Sequence, residues 1–291
     1  MNGTPSPSPS RSPAPFRPAA RPILKWAGGK QQLLPELVAR VPAAYGRYIE
    51  PFVGGGALFF ALAPERAVIA DANPELINLY RQVAGAVEDV IAALAPMAVD
   101  EDAFYAERAL RFEDLDPVRA AARTLYLNKT CYNGLYRVNR RGAFNVPFGR
   151  HASPPRVCDP DRLRAASRLL ARAEILCGDY RAVLERTARA GDFVFLDPPY
   201  LPVGRHADFK RYTATQFREA DHEAMAPVVE DLARRGCTVV LTNANHPRLH
   251  ALYAAHDVAV VATRRHVNSK ADGRRGEDAI VTLLPGTEVA A

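Results

Sequence analysis

The stretch Phe193-Val194-Phe195-Leu196-Asp197-Pro198-Pro199-Tyr200 carries four apolar residues into a carboxylate and then into two prolines. The apolar run is the length of a short buried strand. It must end at Asp197, because neither proline has an N–H to give to a sheet ladder. The carboxylate of Asp197 and the carbonyl of Pro198 are therefore expected at the strand's carboxyl end, on rigid backbone. Tyr200 sets a flat ring beside these two acceptors. Such a set suits a planar molecule that carries an NH2 group. The same residues also read as a Pro-Pro turn with a chance Asp and Tyr, and the flanking chain decides between the two.

Working outward, the same kind of element recurs. Upstream, Ile175-Leu176-Cys177 reads as a short strand followed by Gly178-Asp179-Tyr180 and a helix over 181–189. Tyr48-Ile49-Glu50 leads through Pro51-Phe52-Val53 into Gly54-Gly55-Gly56 and a helix. Val68-Ile69-Ala70-Asp71 is a strand ending in a second carboxylate, 17 residues after Gly54. Downstream, residues 238–243 make another buried strand, and 258–263 with 279–284 suggest a terminal hairpin. Strands alternating with helices predict an α/β fold with a mostly parallel sheet. Glycines that let a ligand approach the backbone, with a later acid for ribose hydroxyls, form a nucleoside site. The spacing departs from G-x-G-x-x-G, so an adenosine ligand without a diphosphate fits better. Residues 202–212 are polar and aromatic and read as a loop over the site.

Near the amino end, Lys25-Trp26-Ala27-Gly28-Gly29-Lys30 holds the only tryptophan of the chain. It reads as a ligand clamp, the ring against a base or ribose and an ammonium against a carboxylate. An ordinary turn with Trp26 in the core is the competing reading. A helix is expected over 31–40. Residues 1–20 alternate Pro and Ser, contain no acid and include Arg11 and Arg17, the composition of a disordered basic tail.

From Asn73 to about Leu127 the apolar residues recur at helical spacing. Residues 117–158 then contain no Asp or Glu, while Arg137, Arg140, Arg141 and Arg150 are interleaved with Tyr132, Asn133, Tyr136, Asn139 and Asn145. Asn133-Gly134 and Arg141-Gly142 look like turns, with a short ribbon over 135–139. Arginines, amides and aromatics on a hairpin are what phosphates, base edges and stacked bases require. A solvated positive face is the plainer alternative. Arg264, Arg265, Lys270, Arg274 and Arg275 suggest a second basic loop.

The whole chain of 291 residues has a formal net charge of +6, in keeping with an acidic partner such as nucleic acid. The four cysteines (Cys131, Cys158, Cys177, Cys237) show no C-x-x-C pair or metal spacing and are expected as free buried thiols in a reducing compartment. No apolar run approaches the roughly 18 residues of a membrane span. A cytoplasmic, nucleoid-associated protein, monomeric and without a metal, is the expectation.

Six segments in this order, Lys25 to Lys30, Glu50-Pro51-Phe52-Val53-Gly54-Gly55-Gly56, residues 70–77, Tyr132-Asn133-Gly134-Leu135-Tyr136-Arg137, residues 142–150 and Asp197-Pro198-Pro199-Tyr200, resemble the Dam family of DNA adenine N6-methyltransferases. The resemblance covers residues 22–284. It implies a Rossmann-like, S-adenosylmethionine-dependent methyltransferase sheet with a mainly helical target-recognition domain, carrying a β-hairpin, inserted after the second strand. Residues 21–80 and 170–291 would then form the catalytic domain and 81–169 the recognition domain. By the same resemblance, S-adenosylmethionine lies against Trp26, Lys30, Phe52, Gly54, Gly56 and Asp71, with Asp197 at the junction of cofactor and target. Asp197, Pro198 and Tyr200 form the catalytic set. Lys25, Tyr132, Asn133, Leu135, Arg137, Pro147 and Arg150 are expected on double-stranded DNA, with Arg137 on a guanine and Arg150 on a phosphate. The family's hairpin reads GATC, and the target adenine would be flipped out of the duplex. Methylation of cytosine's amine or of RNA, and an inactive DNA-binding regulator, are the competing functions.

Overall fold

This computed structural model describes residues 18–26, 28–139, 141–202, 217–264 and 275–286. In chain order the first elements are α1 (Leu34–Val38), β1 (Tyr48–Glu50), α2 (Ala57–Leu62) and β2 (Ala67–Asp71). A helical run follows: α3 (Pro74–Gly85), α4 (Val87–Leu94), α5 (Glu101–Ala109), α6 (Pro117–Thr130) and α7 (Pro160–Leu170). The chain then returns through β3 (Ala173–Cys177), α8 (Tyr180–Thr187), β4 (Phe193–Leu196), α9 (Glu219–Arg234), β5 (Thr238–Ala244), α10 (Pro247–Leu252), β6 (Asp257–Arg264) and β7 (Arg275–Leu283).

The strands form one sheet in the order β3-β2-β1-β4-β5-β7-β6. The first five are parallel, and β7 pairs antiparallel with both β5 and β6. This is the mostly parallel α/β sheet that the alternating pattern predicts, in the Rossmann-like form that the family resemblance implies. β1 lies beside β4, with Ile49 opposite Val194, and from these two strands the order runs outward in both directions. Such a reversal opens a crevice at the strands' carboxyl ends. Side-chain alternation divides the core. Tyr48, Ile69, Phe193, Phe195 and Val240 pack on one face with α1 to α7; Ile49, Val68, Val194, Leu196 and Leu241 pack on the other with α8, α9 and α10. The start of β4 is braced by Asp192, whose carboxylate accepts from the Arg47 and Arg189 backbone N–H groups at 2.9 and 3.0 Å.

Four of the long helices announce their own starts. Asn73, Asp100, Asp116 and Asp159 each accept a hydrogen bond from a first-turn N–H, and Pro follows three of them. The helix expected over 31–40 is shorter and broken: a 3-10 turn over Lys30–Gln32 precedes α1, which restarts with Pro35 in its first turn. Order also begins before residue 21. Ala19 and Ala20 donate to the carbonyls of Ala61 and Phe60 at 3.3 and 3.0 Å, satisfying the end of α2. Residues 1–17, 203–216 and 265–274 lie outside the described residues, and with them most of the expected tail, of the loop expected over 202–212 and of the second basic loop. All four cysteines are free, but only Cys131 and Cys237 are buried; Cys177, on the edge strand β3, is exposed. Among the described residues no helix is long and apolar enough to cross a membrane.

Candidate active site and nucleic-acid interface

Three carboxylates stand at adjacent strand ends: Glu50 closes β1, Asp71 closes β2, and Asp197 follows β4. Proline follows Glu50 and Asp197 directly, and Asn73, the cap of α3, stands two residues after Asp71.

Asp71 is fixed by backbone. Its two oxygens accept from the N–H of Gly54 and of Asn73, both at 3.0 Å. Burial pushes its carboxyl up to about 6, although those N–H bonds pull the other way. The glycine turn is shaped by close approach. Gly54 has φ +45°, and a Cβ there would meet the Trp26 ring at 2.8 Å. Tyr80 donates its hydroxyl to the Gly54 carbonyl at 2.7 Å. Trp26 thus lies across Gly54 and Gly55, and its other neighbour is Tyr136, stacked at 4.9 Å. Phe52 leads into the turn and meets Tyr180 at 5.1 Å and Phe217 at 6.0 Å, an aromatic wall at the mouth of the crevice.

Lys30, 5% exposed, places its ammonium 2.7 Å from Asp197 Oδ2 and 4.6 Å from the centre of the Tyr200 ring. The ammonium was expected to face a ligand's carboxylate, yet in the protein alone it meets Asp197 and also donates to the Gly28 carbonyl. Asp197 Oδ1 accepts from Thr242 Oγ1 at 2.7 Å. Burial raises the Asp197 carboxyl, and the Lys30 ammonium opposes that rise. Glu50 is buried, accepts from the Tyr48 hydroxyl at 2.8 Å and is driven well above the usual carboxylate range by desolvation. Among the described residues no protein group donates to the carbonyl of Pro198, which sits beside Asp197 on the same turn.

The residues expected on DNA gather on a second surface. Cys131 pairs with Phe148 and Val138 with Phe144 as isolated bridges, so the ribbon expected over 135–139 is a loop pinned at two points. Tyr136, Val138, Phe144 and Val146 point into the core, while Tyr132, Asn133, Pro147 and Arg150 are exposed. Leu135 and Arg137 are half-buried. The Tyr132 N–H donates to the Pro147 carbonyl at 2.9 Å, holding two of the expected contacts together. Arg137 Nε donates to Asn145 Oδ1 at 2.8 Å and Nη2 to the Asn145 carbonyl at 3.4 Å, so one edge of the guanidinium is held within the segment. Asn133 takes a left-handed φ of 55° before Gly134, as the turn demands. The exposed Lys25 lays its chain across Gly134, where a Cβ would come within 2.6 Å.

Several contributors were not singled out from the sequence. Asn128 bonds both the N–H and the carbonyl of Lys25 at 3.0 and 2.7 Å and so ties the amino-terminal segment to α6. Thr242 and Asn243 belong to an apolar strand, where two polar residues at a carboxyl end were the available signal. Tyr180 and Phe217 carry no motif beyond aromaticity, and His222 gives no local signal at all.

The family described as D12 class N6 adenine-specific DNA methyltransferase matches residues 26–267. The chain is 36% identical to the type II methyltransferase M.MjaIII of Methanocaldococcus jannaschii, over 91% of this chain and 98% of that protein. It is 35% identical to the DNA adenine methylase of Serratia marcescens, covering 90% and 98% of the two chains. It is 33% identical to the DNA adenine methylase of Escherichia coli, covering 91% and 96%.

Proposed function

The chain belongs to the D12 class of N6 adenine-specific DNA methyltransferases, and from that premise we propose that it uses S-adenosylmethionine to methylate adenine in duplex DNA at GATC, on a base swung out of the helix. Residues 21–80 and 170–291 serve catalysis, and 81–169 serve target recognition.

The donor set suits this cofactor. Asp71 is held by two backbone N–H groups, and each of its oxygens keeps a further lone pair that would accept from a ribose hydroxyl. Phe52 and Tyr180 supply apolar faces for an adenine ring, and Gly54 and Gly56 keep the turn free of side chains. Lys30, now paired with Asp197, is the buried cation that would meet the cofactor's carboxylate, and Asp197 would oppose its positive groups. When bound, its sulfonium supplies an already activated methyl group.

The protein's own task is to prepare the nucleophile. An adenine amine is weak because its lone pair is delocalised into the ring. Hydrogen bonds from its two N–H groups to the Asp197 carboxylate and the Pro198 carbonyl favour a pyramidal nitrogen and stabilise positive charge as it develops. Tyr200 offers its ring for stacking on the extrahelical base. Once the nitrogen is methylated it is acidic, and Asp197, its proton affinity raised by burial, is placed to receive the proton. Positioning therefore supplies much of the rate. The observation that carries this reading is the juxtaposition of Asp197, Pro198 and Tyr200 at the switch between β1 and β4.

The test uses labelled S-adenosylmethionine with a GATC duplex and a duplex in which that site is scrambled, followed by nucleoside mass spectrometry. N6-methyladenine in the GATC duplex alone is the expected result. Label in both duplexes would overturn the GATC assignment, and label on cytosine would overturn the base.

A further inference from the structure

Residues 197–201 leave the sheet without ladder hydrogen bonds of their own, and their shape is held from β5 and α9. Asn243, fully buried on β5, is the centre of this hold. Its Oδ1 accepts from the Leu201 N–H at 2.8 Å and from the Ala244 N–H at 2.9 Å. Two backbone donors on one oxygen fix which way the amide faces, so its NH2 points at His222 Nδ1, 3.4 Å away. His222 sits in the first turn of α9 and is 4% exposed. With Nδ1 accepting, the ring proton belongs on the other nitrogen, and the ring lies near enough to the Pro199 carbonyl for that carbonyl to favour a proton on it. Desolvation by burial lowers this ring's pKa to about 4, which keeps it neutral and its tautomer fixed. The adjoining Thr242 holds Asp197 itself.

Each link constrains the next. The backbone N–H groups set the Asn243 amide, the amide sets the His222 tautomer, and the tautomer takes up the Pro199 carbonyl. That leaves the Pro198 carbonyl as the acceptor beside Asp197. We propose that Asn243 and His222 are positioning residues for methyl transfer, a buried buckle that presents the Pro198 carbonyl and the Asp197 carboxylate together to the amine. This rests on the catalytic reading of Asp197 and Pro198 given above. Neither residue touches the reacting atoms, so the effect falls on turnover and not on binding.

The test compares wild type, His222→Ala, His222→Gln and Asn243→Ala in steady-state methylation, labelled-cofactor binding and thermal unfolding, with Asp197→Ala as a separate arm. His222→Ala is expected to lose about 10²-fold in kcat, the cost of a misplaced reacting group. Its KM for DNA and its cofactor affinity should stay within about twofold of wild type. His222→Gln keeps an N–H that can reach the Pro199 carbonyl and should recover most of the turnover. Asn243→Ala removes the anchor of both and should behave like His222→Ala if it folds. Wild-type kcat in both His222 variants would overturn the buckle, as would equal losses in Ala and Gln accompanied by lower unfolding temperatures and weaker cofactor binding. The underlying reading fails separately: it falls if a folded Asp197→Ala still methylates, whatever His222 does.

Discussion

The crevice at the sheet's carboxyl end and the segment 131–150 solve opposite problems. In the crevice all three carboxylates are spoken for: Asp71 by two backbone N–H groups, Asp197 by Lys30 and Thr242, Glu50 by Tyr48. The 131–150 segment is pinned to the core by Tyr136, Val138, Phe144 and Val146, but its outward side chains are left exposed or lightly held. Chemistry needs acceptors that do not reorganise as charge develops. Recognition needs side chains that can settle on a base edge that only the partner supplies. Trp26 touches both regions, packed on the glycine turn and stacked on Tyr136.

If the crevice is the rigid, chemical half, its central carboxylate should be indispensable. Asp197→Asn keeps the size but replaces an acceptor with a donor toward the amine, and kcat is expected to fall by at least about 10²–10³-fold. DNA affinity, measured by gel shift or anisotropy, should be nearly unchanged, because the exposed residues at 131–150 are untouched. A matching fall in DNA binding would show that the two halves are not separable.

The converse substitution belongs to the recognition half. Arg137→Ala removes the guanidinium that Asn145 orients. A bidentate contact to guanine is worth about 1–3 kcal/mol, so discrimination at one base pair should drop by roughly 5- to 150-fold. The readout is kcat/KM on a set of duplexes with single substitutions in the site. Unchanged discrimination would remove Arg137 from base readout.

The same contrast explains what the sequence makes legible. Phe193 to Tyr200 could be read because an apolar run, an acid and two prolines leave one local outcome, and the glycine turn with Asp71 is equally local. The mostly parallel sheet followed from strands alternating with helices, whereas the order of its strands is set by tertiary packing. Lys30 was recognisable as a buried-site cation, but its pairing with Asp197 depends on how β4 sits beside the amino-terminal segment, which no local pattern encodes. Asn243 and His222, 21 residues apart, act through a tautomer set by backbone N–H groups, a relation that exists only after folding. The segment 131–150 was legible in composition but not in form. The backbone does bond across it, Asn145 N–H to the Arg137 carbonyl and Asn139 N–H to the Ala143 carbonyl, but the pairing is too short to make more than two isolated bridges.

A smaller effect tests the crevice through pH. Burial raises the Asp71 carboxyl from 3.8 to about 6 in the folded protein. For an acid raised in this way, the folded state holds the proton longer than the unfolded chain. Its contribution to stability is therefore present below the unfolded value and is lost as pH rises through about 6. Binding of a ribose runs the other way, since the ionised carboxylate is the better acceptor. Affinity for labelled S-adenosylmethionine should be weaker by about tenfold at about pH 5 than at about pH 7.5. Asp71→Asn should flatten that dependence, and a wild-type profile already flat over this range would exclude Asp71 from the ribose contact.

The smallest expected change separates holding DNA from reading it. Arg150 is exposed at the end of the 131–150 segment, where the neighbouring Gly149 N–H is tied to the Thr130 carbonyl at 2.9 Å. A charge there can neutralise one phosphate but has no fixed geometry for a base. Phosphate contacts carry no sequence information directly, and each neutralised phosphate contributes to the salt dependence of binding. Arg150→Ala should weaken binding to GATC and scrambled duplexes alike and lower the salt slope by about 1. The ratio of kcat/KM between the two duplexes should be unchanged, in contrast to Arg137→Ala. A shift in that ratio would mean that reading extends to the end of the segment, and the division between exposed holding residues and oriented reading residues would have to be redrawn around Arg150.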